Sequence, residues 1–169
     1  MAIGHSLKLF SQTTPKTVAN SAIQTTLIDG GVGSVAFPAD FFTVGKTLRI
    51  KMFGFHSATA GPTIQMRVKL NSTVILDTGT VNTGNGTNDL MELDALITCN
   101  AVGDGATGKV LAQGTYLEYG AGPGEHQMVN SSFVFLDTEI AQTLDITVQW
   151  GTADPGNTIT STNILVEAI

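Results

Sequence analysis

Charge is scarce in this chain: Asp, Glu, Lys and Arg together make up 13% of its 169 residues. The eight basic residues face fourteen acidic ones, giving a net charge of −6, and they are scattered rather than clustered. Binders of nucleic acid gain affinity by neutralising phosphates with grouped Lys and Arg, so a nucleic-acid partner is not expected. A single cysteine, Cys99, excludes an intramolecular disulfide and supplies too little sulfur for a zinc centre. There is no run of about 18 apolar residues such as a membrane helix needs. The segment opening Met1, Ala2, Ile3, Gly4 lacks the uninterrupted apolar stretch of roughly 7–15 residues that marks a signal peptide. The expectation is therefore no membrane partner, and a chain made and kept in the cytoplasm until it joins something.

Apolar residues are present in quantity, at 42%, together with 19 glycines. With so little charge, the surface has to be built from Thr, Ser, Asn and Gln, which suits packing against neighbours. The length allows one good core and is short for two domains.

Alternation is the main structural signal. Thr143 to Trp150 places Leu144, Ile146, Val148 and Trp150 on one face and Thr143, Asp145, Thr147 and Gln149 on the other, which is the pattern of a half-buried strand. Trp150 is thus expected to anchor the core. The same period runs through Lys46 to His56, with a bulge expected at Gly54, and through Ile64 to Leu70, which Asn71 to Thr73 connects to Val74 to Asp77 as a hairpin. It also runs through Leu90 to Cys99, where Met91, Leu93, Ala95, Ile97 and Cys99 share a face, so Cys99 reads as a small apolar core residue. Further strands are expected at Ala22 to Ile28, Gly33 to Phe37, Lys109 to Tyr119, Ser131 to Leu136 and Ile159 to Ala168. Pro38 to Phe42 reads as one helical turn whose two Phe rings plug an end of the core. Residues 1–20 show no sustained period and read as an arm or an edge segment. Turn signals every 8–12 residues favour a β-sandwich or barrel, most economically an antiparallel all-β jelly roll of about eight strands over residues 21–169, with an immunoglobulin-like sandwich as the alternative that periodicity does not separate from it.

Catalytic chemistry finds little support. Asp89 and Asp104 lie in Asn- and Gly-rich loops, Asn82 to Asp89 and Asn100 to Asp104, where oxygen ligands for Ca²⁺ are conceivable. Turns demand the same residues for backbone reasons, and the turn reading is favoured. Glu125 and His126 follow the Gly122, Pro123, Gly124 turn without a partnering nucleophile and read as a solvated loop pair. His5 and His56 are isolated. Glu92, Asp94 and Glu118 on neighbouring strands supply carboxylates for a conceivable glycosidase pair, yet one Trp and two Tyr are too few for a sugar platform. The outward Glu92 and Asp94 are more simply solubilising. No catalytic, cofactor-binding or metal-binding residue is assigned, and the chain is read as a non-enzyme.

The stretch Asp137, Thr138, Ala141, Gln142, Thr143, Leu144, Asp145, Ile146, Thr147, Val148, Gln149, Trp150, followed by Asn157, Thr158, Ile159 and Thr160, resembles the closing strands of a group of small tailed-bacteriophage virion proteins. Ala22 to Ile28, Val44 to Ile50 and Thr63 to Leu70 resemble the opening strands of that group, so the likeness covers most of Ser21 to Ile169. It implies a jelly-roll-like module on the virion. The role expected from it is a capsid decoration or cement protein that binds the major capsid protein or other virion proteins through residues 1–20 and one sandwich edge. A homo-oligomer is implied as well, with a trimer among the open forms. The rival role is a tail or head fibre module binding a host receptor or glycan through Thr78 to Asp89 and Asn100 to Gly108.

Overall fold

Period-two patterning becomes burial in the computed structural model, which describes residues 6–120, 124–130 and 132–169. In chain order the first strands are β1 (Leu7–Gln12), β2 (Lys16–Ala19), β3 (Thr25–Thr26), β4 (Gly31–Gly33) and β5 (Ala36–Phe37). Next come β6 (Thr47–Ala58), β7 (Thr63–Leu70), β8 (Thr73–Asp77), β9 (Val81–Asn82) and β10 (Gly86–Ala101). The last are β11 (Lys109–Glu118), β12 (Gly124–Val129), β13 (Val134–Phe135), β14 (Gln142–Trp150) and β15 (Thr158–Ala168). The described residues contain no helix.

These strands form an all-β, antiparallel sandwich. The nine-stranded sheet runs β12-β11-β10-β6-β15-β1-β4, with β13 on β11 and β2 on β15, and the six-stranded sheet runs β3-β14-β7-β8, with β5 on β14 and β9 on β7. Between them lies one core, where Leu48, Ile50 and Met52 of β6 and Leu93 and Ile97 of β10 face Ile64, Met66 and Val68 of β7 and the even-numbered residues of β14. Trp150 is completely buried at the end of that row, as its alternation requires. Cys99 is buried on the predicted face of β10, and burial pushes its thiol pKa up.

Of the two readings of residues 1–20, arm or edge segment, residues 7–12 and 16–19 fit the second: β1 pairs with β15 over Leu7↔Ala168 to Ser11↔Leu165, and β2 pairs with β15 over Thr158↔Ala19 to Ser161↔Lys16. Phe10 and Val18 enter the core and Gln12 is buried, donating from Nε2 to Ser161 Oγ at 2.9 Å. Short strands interrupted by Pro15 hide their period, which is why the segment reads as unpatterned. The remainder of that segment, Met1 to His5, lies outside the described residues. Of Ala22 to Ile28, only Thr25–Thr26 pairs as a strand. Ser131 to Leu136 shrinks to Val134–Phe135, and Ser131 itself is outside the described residues. Thr78 to Asp89 is less of a loop than its composition suggests, since Val81–Asn82 pairs with β7 and β10 begins at Gly86.

Pro38 to Phe42 forms a turn without a helix, because Asp40 adopts a left-handed φ of 59°. The expected ring plug does form: Phe37 stacks on Phe41 at 4.7 Å, and Phe42 meets both rings edge-on. At Gly54 the bulge falls on the partner strand, where Thr162 is the extra residue between Ser161↔Gly54 and Asn163↔Phe53. Gly54 is required by close approach, since a Cβ there would lie 2.0 Å from the Thr160 carbonyl oxygen.

Candidate interaction face

Each sheet turns one face outward, and the two outward faces differ in kind. On the smaller sheet the outward positions of β7 and β14 are Gln65, Arg67, Lys69, Thr143, Asp145, Thr147 and Gln149. Many of them are hydrogen-bonded to neighbouring side chains of the same sheet face. Arg67 Nε meets Asp77 Oδ2 at 3.1 Å, Gln65 Nε2 donates to Asp77 Oδ1 at 2.8 Å, Gln24 Nε2 donates to Thr147 Oγ1 at 2.9 Å, and Thr26 Oγ1 donates to Asp145 Oδ1 at 2.5 Å. Such a face finds many of its hydrogen-bond partners within its own chain.

The larger sheet is mixed: Arg49, Lys51, Asp94, Gln113 and Thr115 are outward on one part of it, while another part presents large apolar side chains where a solvated face would carry polar ones. Phe53 is 42% exposed, Leu90 64% and Tyr119 47%, and Phe55 and Leu117 are half-buried beside them. The pairings Leu90↔Phe55, Glu92↔Phe53 and Glu92↔Leu117 bring these residues together from three strands. At the centre of the group lies a cup of about 320 Å³ lined by Phe53, Phe55, Leu90, Glu92, Tyr119 and Thr162, together with Gly54 and Met91. Contiguous exposed apolar surface of this sort marks interaction sites. Beside it, Asp94 is held between Lys51 Nζ at 3.1 Å and Arg49 Nη2 at 3.7 Å.

The carboxylates considered for a hydrolytic pair are not brought together. Glu92 and Asp94 point outward, while Glu118 sits on the core-facing side of β11 with only 3% exposure. Glu118 belongs instead to a buried polar group that the sequence reading missed. Its Oε1 accepts the Tyr116 hydroxyl at 3.0 Å, its Oε2 lies 3.7 Å from His126 Nε2, and the Tyr116 and His126 rings stack at 5.9 Å. Burial, reinforced by the Glu118 charge and hydrogen bond, raises the Tyr116 pKa well above the usual phenol value and keeps it a donor. Glu118 Oε2 and His126 Nε2 have no hydrogen-bond partner among the described residues. The Glu125 and His126 pair is thus not a solvated loop: both residues are in β12, Glu125 points out, and His126 points in toward Glu118. The available signal was parity, because Tyr116 and Glu118 share the register of Val110 and Ala112.

The remaining candidates serve local structure. Asp104 accepts from the Ala106 and Thr107 amides at 3.1 and 3.0 Å and from Thr107 Oγ1 at 2.8 Å, so it builds its own turn. The Thr107 hydroxyl and the Ala106 amide hold its carboxyl below the usual range. Asp89 lies opposite His56 in the β10–β6 ladder, and Gly120 passes so close that a Cβ there would fall 2.2 Å from the Asp89 carboxylate. His56 is buried in the same region, and His5 lies outside the described residues. No three of His, Cys, Asp and Glu converge as a metal-ligand group among the described residues. Comparison with known protein families and with curated proteins returns no match to this chain.

Proposed function

We propose that this chain is a structural protein of a tailed-bacteriophage virion, a capsid decoration or cement protein that works by surface contact and performs no catalysis. The observation that carries this reading is the contrast between the two outward faces: one is polar and self-satisfied, the other apolar around Phe53, Leu90 and Tyr119. The patch around Phe53, Leu90 and Tyr119 loses less on being covered than the polar face would, since Glu92 is the one charged side chain lining its cup. In this reading the large sheet packs on the major capsid protein, other virion proteins or further copies of the chain as a homo-oligomer. The path of the chain supports the finer reading of a jelly roll. It passes from β1 in the large sheet to β3, back to β6, across to β7 and β8, back to β10, and finally through β14 and β15.

The proposed contact shifts from residues 1–20 to the sheet face, because β1 and β2 are built into the fold. Mixing the purified protein with empty capsids and sedimenting the particles tests it. Co-sedimentation that is lost in the double variant Leu90→Asp, Tyr119→Asp, whose fold is verified by circular dichroism, supports the reading. Undiminished occupancy by that variant rejects it.

The fibre reading draws on a separate observation, a polar recess of about 430 Å³ at one end of the sandwich lined by Ala58, Thr59, Ala60, Asn85, Gly86 and Thr87. Binding to whole cells that disappears on replacing Asn85 and Thr87, with capsid binding absent, would favour it.

A further inference from the structure

We infer that the cup on the large sheet receives a cationic side chain, Arg or Lys, from a protein partner. This deepens the reading of that sheet as a contact face by naming the chemistry that fits its centre. The aromatic rings of the chain differ in what surrounds them. Phe10, Phe37, Phe42, Tyr116 and Trp150 are buried in the core. Outside it, Phe41 carries Lys46 Nζ at 4.3 Å from its centroid, and the exposed Phe133 and Phe135 carry Lys109 Nζ at 5.9 and 5.5 Å. The chain thus supplies its own cation to these surface rings. Phe53, Phe55 and Tyr119, gathered around one cup, have no such cation among the described residues.

The carboxylate beside them shows the same vacancy of charge. On β10 the two outward acids are successive outward positions, and they are treated differently. Asp94 is neutralised by Lys51 and Arg49, whereas Glu92, which lines the cup, has no ion-pair or hydrogen-bond partner among the described residues. Three aromatic rings whose faces attract positive charge, joined to an unneutralised carboxylate in a chain of net charge −6, make a site complementary to a cation with an apolar stem. An Arg or Lys side chain has both parts: the methylenes lie along Leu90 and the rings, and the charged head reaches Glu92. An arginine adds a planar group that stacks on rings and pairs with a carboxylate through two hydrogens.

The test is an NMR titration of the ¹⁵N-labelled full chain with acetyl-arginine amide and acetyl-lysine amide, against acetyl-norleucine amide as the uncharged stem and glucose as a simple sugar. The expected result is saturable shifts confined to the amides of residues 53–55, 90–92 and 119 with the cationic probes. Glu92→Gln should weaken the response at least fivefold, and Phe53→Ala should weaken it independently. An equal response to norleucine amide would reduce the cup to an apolar dimple and overturn the inference, as would a preference for glucose or silence with every probe. Because the titration contains no capsid, its outcome is separate from the co-sedimentation result, and either reading can fail while the other stands.

Discussion

Trp150 shows how much a single position decides. Its indole closes the row Leu144, Ile146, Val148 on β14 and is completely buried. Removing it leaves a cavity that β-sheet backbones cannot collapse into, so Trp150→Ala should cost about 3–5 kcal/mol in urea unfolding. A loss under about 1 kcal/mol would contradict its place in the core. Tyr116 makes a second residue-level prediction, through pH. Its pKa in the folded state is raised by burial and by the Glu118 carboxylate, whereas in the unfolded chain it sits near the ordinary value of about 10. The folded state therefore holds a proton that the unfolded state releases, and stability is intact below about pH 10 and falls as pH rises beyond it. Urea unfolding at pH 9, 10 and 11 should show this decline, and it should be shallower in Tyr116→Phe. At neutral pH that variant should itself lose about 1–3 kcal/mol, because Glu118 Oε1 is left buried without its donor.

Among the elements, those with one face buried and one face wet were legible in the sequence. β6, β7, β10 and β14 announce themselves because water and core impose opposite chemistry on alternate residues. β1 and β2 were not legible, since each is short and what fixes it is pairing with β15, roughly 150 positions away, which no local window contains. The Tyr116, Glu118 and His126 group was hidden for another reason. A carboxylate on a core-facing register breaks the rule that patterning uses, and only the position of β12 next to β11 supplies its partner. The cup was equally invisible, because its rings come from β6 and from the residue after β11 and its Leu90 and Glu92 from β10, and their adjacency is a matter of strand order. The placement of β1 carries its own prediction. A chain starting at Ser21 should fail to fold, with far-ultraviolet circular dichroism and amide dispersion lost, because the edge of β15 is bared and Phe10 and Val18 leave the core. A well-dispersed spectrum from that truncation would restore the reading of residues 1–20 as an arm.

For the molecule as a whole, the position of β15 has a consequence in time. Thr158–Ala168 lies in the middle of the large sheet, between β6 on one side and β1 and β2 on the other. Those neighbours are synthesised more than 100 residues earlier, as the numbering of β6 and β1 shows. Until β15 emerges from the ribosome they wait with open edges and no mutual pairing, so the sheet cannot close progressively as the chain grows. Closure is then a late, long-range event, and refolding from urea should be slow, on the order of milliseconds to seconds. A microsecond refolding phase carrying the full amplitude would contradict this. The interval before closure is also when the strand edges are open to other copies. Open edges on β6 and β1 give the unfinished chain a route to self-association, and yield on expression should depend on how quickly that last strand arrives.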